Sequence, residues 1–407
     1  MTSPRSNVAI IGSGLSGLSL ALALQQQNIP CTVYESRAAP LNIGGAVMLS
    51  PNALKVLDAL NVYDRVRVKG YNFETLEYKD GSGKLLETYE FGGKEKYGYA
   101  GLRIYRHVLI DELLDVMRER DVEIKFGKKF ARVVSETDNE VMWEFEDGTT
   151  QSAGILVGAD GIHSTVRRYL YPDLTPTFTG MAGITAAVPT AQLKLPVGYH
   201  IPVTISTPHG SFVIAPQGVD GSEVLLGKQK RIGDNQDKAG WERISADKEG
   251  LVEFLRQDTE HFPEIVQNAV SDIPRDKFNV WPYYIVPKLE RWASEKRRVI
   301  ILGDAAHAIP PSAGQGINQA FEDVYIFSLL LGQVDKVTMQ DALSFWQEYR
   351  QRRVDKVLEL NHQIELRRMP KEELDKMPAG SMKEIELSWL YQADFKDDVA
   401  SWVASRK

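Results

Sequence analysis

A chain of 407 residues, 43% hydrophobic and 25% charged, is long enough for more than one domain. Its balance excludes a disordered tail, a collagen-like fibre and a small disulfide-stapled scaffold. The 48 basic and 55 acidic side chains leave a formal charge of −7, so no overall basic field draws in nucleic acid or an anionic membrane. Cys31 is the only cysteine, which excludes an intrachain disulfide and a cysteine metal cluster; no metal site is expected, and the chain reads as cytosolic.

The apolar stretch Val8 to Leu24 could pass for a signal-peptide core. Gly12, Gly14 and Gly17 interrupt it, Gln25-Gln26-Gln27 follows in place of a small-residue cleavage site, and it is short for a bilayer span. The stretch reads better as a folded unit. Val8 to Ile11 is β-branched and apolar, suited to a strand buried on both faces. Gly12-Ser13-Gly14-Leu15-Ser16-Gly17 then turns into a helix expected over 18–27, and Cys31-Thr32-Val33-Tyr34 forms a second strand ending at Glu35. Strand, glycine turn, helix, strand and acid in that order form a dinucleotide-binding unit. Gly12 permits the tight turn, Gly14 admits a pyrophosphate, and Gly17 lets helix and strand touch. Free N–H groups at the helix start face the phosphates, and Glu35 is placed for the ribose hydroxyls. FAD and NAD share the adenosine diphosphate half, so this unit alone leaves both open.

Further along, Ile43-Gly44-Gly45-Ala46 opens a glycine-rich loop before a helix expected over 53–60. Extended runs are expected around 75–79 and 84–91, a helix over 108–120 after Arg106, and a hairpin about Asp147-Gly148. Gly154 to Gly161 reads as a buried strand ending at Asp160, with Ser164 and Arg167 on the short helix after it. From Thr175 to Val286 alternating apolar runs predict antiparallel strands, with a helix over 246–270. Arg298 to Asp304 is again a buried strand ending in an acid. A turn containing His307, Pro310 and Pro311 leads through Gly314-Gln315-Gly316 to a helix starting at Ile317, whose N–H groups would favour negative charge on a bound ring. Helices are expected over 335–370 and 383–406, packing back on the body.

Three separated elements, Gly12-x-Gly14-x-x-Gly17, Gly158-Ala159-Asp160-Gly161-x-x-Ser164-x-x-Arg167 and Gly303-Asp304-Ala305-Ala306-His307, together resemble the single-component FAD-dependent aromatic hydroxylases, such as para-hydroxybenzoate and salicylate hydroxylases. The resemblance runs from about Val8 to Leu331. It implies an α/β fold: a doubly wound, Rossmann-like FAD-binding domain over 1–72, 100–174 and 287–334, an inserted β-sheet substrate domain over 73–99 and 175–286, and a C-terminal helical segment over 335–407. It also implies FAD, with NADPH or NADH as co-substrate, and hydroxylation of an aromatic or polycyclic small molecule by O2 through a flavin hydroperoxide. An oxidase or reductase that transfers no oxygen, and a redox-sensing flavin module, are the competing readings.

Carried over by position, the cofactor contacts are Gly12, Ser13, Gly14, Leu15, Ser16, Gly17, Glu35, Arg37, Ala46, Arg106, Asp160, Asp304, Gly314, Gly316 and Ile317. Arg106 resembles the arginine that reaches the flavin from the opposite side, and Asp304 the aspartate that holds the ribitol chain. Arg167 matches a position tied to FAD and the nicotinamide pyrophosphate, with a surface salt bridge as the plainer alternative. Phe212, Trp281, Tyr283 and Tyr284 are the candidates for a substrate pocket. No catalytic side chain is assigned; the flavin carries the chemistry and the protein orients substrate. The chain departs from relatives that carry an arginine on the strand matching Gly180–Val188, and from those with a tyrosine before the proline at Pro216, where it has Ala215. Both absences weaken the case for a carboxylated phenol or a phenolate held by that pair. Nucleic acid and membrane are not expected as partners, and oligomeric state is not readable.

Overall fold

A computed structural model describes residues 7–40, 45–368, 375–378 and 380–406. Ile43 and Gly44 of the glycine-rich loop, and the expected helix end at Pro370, lie outside the described residues. The strands run in chain order from β1 (Val8–Ile11), β2 (Cys31–Tyr34), β3 (Ala46–Leu49) and β4 (Tyr71–Phe73) to β5 (Thr75–Asp80), β6 (Leu85–Glu90) and β7 (Gly101–Tyr105). Next are β8 (Glu123–Lys125), β9 (Phe130–Glu136), β10 (Val141–Phe145), β11 (Thr150–Ala153) and β12 (Ile155–Gly158). Then follow β13 (Thr177–Pro189), β14 (Val203–Thr207), β15 (Gly210–Pro216), β16 (Glu223–Arg231), β17 (Asn279–Ile285) and β18 (Val299–Ile301).

The fully buried β1 occupies the centre of a parallel sheet of order β18-β12-β1-β2-β8. Strand order reverses direction at β1 and β12, so the crevice where ligands collect opens beyond Ile11 and Gly158. The helix Leu15–Gln26 packs against the helices Arg106–Glu119 and Gly316–Leu331. Leu18, Leu20, Leu22 and Leu24 are wholly inaccessible. The apolar N-terminal stretch is therefore a core helix of this domain. Among the described residues no helix is long and apolar enough to cross a membrane.

The second large sheet has the order β17-β13-β16-β15-β14-β5-β6. Its two faces follow from the alternation of side chains along each strand. Ile184, Ala186 and Val188 on β13, Phe212 and Ile214 on β15, and Val224 and Leu226 on β16 are buried beneath Leu251, Leu255, Phe262 and Val266. The residues between them, including Gly183, Thr185, Val213, Ala215 and Gly227, occupy the opposite face. The expected single helix over 246–270 is instead two, Lys248–Arg256 and Glu264–Ala269, with a further helix, Lys238–Ala246, just before them. Asp247 ends one helix and caps the next by accepting from the Gly250 N–H, and Pro263 precedes the last. Pro282 interrupts the sequence signal for β17, and the strand survives because it lies at the sheet edge.

The long helix Met339–Arg368 lies along Gly316–Leu331. Phe395, Val399 and Val403 of the last helix are buried in the main core, while Leu390 and Tyr391 join a second cluster with Tyr97 and Phe91. The C-terminal segment thus packs back on the body.

Candidate active site

Backbone contact sets the glycine turn after β1. Gly12 has φ +105°, and a Cβ there would lie 2.6 Å from the Ala159 carbonyl oxygen. A Cβ at Gly17 would lie 1.9 Å from the Gly12 oxygen, whereas one at Gly14 would meet nothing within 4 Å. Two of the glycines are needed by the fold, and the third faces open space at the start of a helix with no side-chain cap. Leu15 is buried in the core and Ser16 sits beside Gly303, so these two offer the site backbone groups or positioning.

Glu35 is 5% exposed at the end of β2. Its Oε2 accepts from the Ser13 N–H at 3.0 Å and the Ser13 hydroxyl at 2.8 Å. Its Oε1 accepts from the Ser36 hydroxyl and the Arg37 N–H at 3.0 and 2.9 Å, with the largely exposed Arg37 guanidinium at 3.5 Å. Burial opposes the charge on Glu35, but these donors outweigh it and hold its pKa below the ordinary carboxylate value. The carboxylate is thereby fixed at the lip of the glycine turn.

Asp160 turns onto its own loop, accepting the Thr165 and Val166 N–H groups through Oδ2 at 2.8 and 3.1 Å, while its buried Oδ1 has no partner. Arg167 is 1% exposed and makes no surface salt bridge. It donates to the Ala305 carbonyl at 3.0 Å and the Ile162 carbonyl at 2.6 Å, which ties the second motif to the third. Both residues shape the floor of the crevice.

Asp304 opens onto a cleft of about 1300 Å³ that also reaches Arg167, Trp281, Tyr283, Tyr284 and Pro311. The protein around its open side raises the Asp304 pKa by desolvation, against the pull of His307 and Arg106. Arg106 starts the helix after β7, donates its N–H to the Gly45 carbonyl, and places its guanidinium 5.6 Å from the Trp281 ring centre. Burial lowers the Arg106 pKa while Asp304 raises it, leaving a net downward shift. Ala46 begins β3, paired with Tyr105 of β7. Thus Arg106, Asp304 and Trp281 converge from three distant parts of the sequence.

The sequence reading misses what holds the Gly314–Ile317 turn. Gln315 is inaccessible; its side-chain amide donates to the Ser50 hydroxyl at 2.9 Å and its oxygen accepts from Asn52 at 3.3 Å. Asn318 accepts the Ser50 N–H at 2.9 Å and donates to the Met48 and Gly314 carbonyls. One turn later, Glu322 and Asp323 are both inaccessible. Arg350 bonds Glu322 and, at 2.7 Å, Asp323; Arg353 bonds Glu322 at 2.5 and 2.9 Å. The remaining Asp323 oxygen accepts the Gly303 N–H at 2.9 Å and contacts His307 Nε2 at 2.5 Å. This network fixes the first turn of the Gly316–Leu331 helix against β3 while leaving open space at Gly316 itself. Two adjacent acids inside an otherwise apolar helix were the available sequence signal.

Burial opposes ionisation of Glu322 and Asp323, but Arg350 with Arg353, and His307 with Arg350, outweigh it and lower both pKa values. The unfolded chain therefore takes up protons first on acidification. Stability from this pair is complete above the unfolded carboxylate range near pH 4 and is lost as pH falls through the lower folded values. Urea denaturation at stepped pH should show that decline, and Glu322→Gln should reduce its steepness.

Trp281, Tyr283 and Tyr284 line the cleft. Phe212 does not: it is inaccessible and packs 6.0 Å from the Phe262 ring, beneath the helices on the far face of the sheet. Its burial there is worth about 1.5–3 kcal/mol to folding. The parity of β15 explains the correction, since its neighbours Val213 and Ala215 share the other face. Tyr283 stands over Gly183 of β13, where a Cβ would lie 2.7 Å from its hydroxyl.

An open glycine at an uncapped helix start, a fixed acid at the end of β2, Asp304 on the cleft and an open Gly316 helix start fit an extended dinucleotide such as FAD. The comparisons agree. A model of the FAD binding domain family matches residues 5–361. The chain is 30% identical over 406 residues to 3-amino-4-hydroxybenzoate 2-monooxygenase PtnB3 of Streptomyces platensis, covering 95% of this chain and 96% of the relative. It is 27% identical to 6-methylsalicylate 1-monooxygenase atA of Aspergillus terreus, covering 88% and 81%. CtdE bound to FAD and a substrate has the same fold, with TM-score 0.80, 20% identity and 98% of each chain covered. The chain belongs to the FAD-binding-domain family of flavin-dependent monooxygenases. It is an FAD-dependent oxidoreductase of the aromatic hydroxylase type.

Proposed function

We propose that this chain uses NAD(P)H and O2 to hydroxylate an aromatic small molecule held between the parallel sheet's crevice and the inner face of the seven-stranded sheet. The convergence of Asp304, Arg106 and the open Gly316 helix start carries this reading, because it joins a flavin cradle to an aromatic-walled cleft. Gly14 and the helix behind it would receive the pyrophosphate, Glu35 the ribose, and Asp304 the ribitol hydroxyls. Bound FAD supplies hydride acceptance and oxygen activation. The Gly316 and Ile317 N–H groups would stabilise negative charge developing on the ring. Trp281 and Tyr283 narrow the cleft and limit water there. No protein nucleophile is required. Gly12, Ser13, Leu15, Ser16, Gly17, Arg37, Ala46, Asp160 and Gly314 shape this cradle. A single free cysteine fits a cytosolic setting.

Glu35→Ala and Asp304→Ala should each weaken FAD binding by about 1–3 kcal/mol, as expected for a lost buried hydrogen-bond partner. Flavin retention through gel filtration checks both, and wild-type retention in the two variants would contradict the assignments. Anaerobic NADPH or NADH should bleach the bound flavin, faster when a substrate is present. Flavin that never bleaches with either nucleotide would contradict the enzymatic reading.

A further inference from the structure

The loop 308–314 follows the short helix that Asp304 opens, and it supplies Ala308, Ile309 and Pro311 to the same cleft. It then runs directly into the Gly316 helix start. Its backbone closes on itself where the Gly314 N–H donates to the Pro311 carbonyl at 2.9 Å. Pro310 and Pro311 have no N–H to give, so the loop depends on side chains from elsewhere to hold it.

One face of the long C-terminal helix supplies them. Asn361, Glu365 and Arg368 follow one another at spacings of four and three residues on Met339–Arg368, which places them on the same side. Asn361 is 2% exposed, and its Oδ1 accepts the Ala313 N–H at 2.6 Å. Glu365 accepts the Ser312 hydroxyl at 2.9 Å, and Arg368 Nη2 donates to the Ser312 carbonyl at 3.4 Å. Ala313 itself is buried in a cluster with Val357, Leu360 and Ile364 of that helix. Arg368 also acts on the cleft: burial raises the pKa of Tyr283 there, while the hydrogen bond with Gln229 and the Arg368 charge oppose the rise. The helix therefore backs a loop whose other side lines the cleft.

We propose that Asn361, Glu365 and Arg368 are positioning residues, a clasp that keeps the loop in place as the cleft's wall and so keeps water from FAD bound there. This rests on the hydroxylase reading and gives the C-terminal helix a part in it. With the wall held, water is excluded and NAD(P)H is spent on oxygenation. With the wall loosened, the hydride of NAD(P)H and one proton from water reduce O2 to hydrogen peroxide, leaving NAD(P)+. Asn361 contributes most, because its acceptor is buried and meets the loop's own backbone.

The test uses FAD-loaded wild type, Asn361→Leu, Asn361→Asp and Arg368→Met. Leucine is close to asparagine in size but cannot accept the Ala313 N–H. Aspartate keeps the acceptor and gives up only Nδ2, which has no partner. Iodide quenching of flavin fluorescence reports access to the ring. Peroxide formed from NAD(P)H and O2 with no aromatic compound present reports the leak, and thermal melts report the fold. Asn361→Leu should raise quenching and leak by roughly 5-fold, the worth of one buried hydrogen bond. Asn361→Asp should return both to wild-type values. Arg368→Met should raise both by less, and it decides the matter should Asn361→Leu fail to fold. Wild-type quenching and leak in the leucine and methionine variants overturn the proposal. A rise shared by Asn361→Asp overturns it too, since the acceptor would then not be what matters. Wild type quenched as strongly as free FAD equally overturns it and leaves the hydroxylase reading standing. The expected quenching pattern with no NAD(P)H oxidation by any of the four proteins would support the clasp and remove the hydroxylase reading.

Discussion

Arg350→Ala should destabilise the folded protein by about 3–5 kcal/mol, the cost of stranding a buried charge by removing its partner. The guanidinium is inaccessible and bonds Glu322, Asp323 and the Gln319 side chain, at 2.7 Å for the last two. Removing it leaves Arg353 as the one remaining arginine on Glu322 and His307 with the Gly303 N–H on Asp323, and opens a cavity in the core. A loss of that size is a large share of a typical domain's stability. Because Glu322 also accepts from Asn52, and Asn52 touches Gln315, the Gly314–Ile317 turn should loosen with it. Denaturant titration measures the first effect. Excess FAD should recover part of the stability, since a ligand that binds only the native state stabilises it by mass action. A variant within 1 kcal/mol of wild type, about the median for ordinary substitutions, would contradict the importance of this network.

Gly14→Val and Gly17→Ala should separate cofactor binding from folding. A side chain at Gly14 meets no protein atom within 4 Å, so the Gly14→Val protein should fold with nearly wild-type stability in the absence of flavin. It should nevertheless fail to retain FAD, because the branched side chain fills the approach to the helix N–H groups. A Cβ at Gly17 lies 1.9 Å from the Gly12 oxygen, which cannot be relieved by turning a side chain. Gly17→Ala must push the helix from β1, at a cost of about 1–3 kcal/mol or more for overpacking. It should lower stability and FAD retention together. Circular dichroism melts and flavin fluorescence after desalting distinguish the two behaviours; a Gly14→Val protein that holds FAD would be incompatible with the cradle.

The parallel domain was legible in the sequence because its signals are local: β-branched runs, glycines in a fixed spacing and acids at strand ends. Glu35 and Asp304 stand just past the strand ends where the sequence puts them, and Arg106 opens the helix after β7. Phe212 could not be placed until the parity of β15 was known, since a shift of one residue moves a side chain to the opposite face. Pro282 hid β17, and Asp247 with Pro263 split a helix that composition alone would continue. The Glu322–Arg350–Arg353 cluster joins residues from two helices. Long-range burial, which a local pattern does not carry, separates these from what could be read directly.

The most direct measurement is mass spectrometry of the product formed by FAD-loaded enzyme and NAD(P)H under oxygen-18 gas, with a panel of phenols, polycyclic aromatics and aromatic acids. One labelled oxygen atom in the product is the expected result. Turnover that consumes NAD(P)H and releases only peroxide, or a product with oxygen from water, would contradict the monooxygenase account.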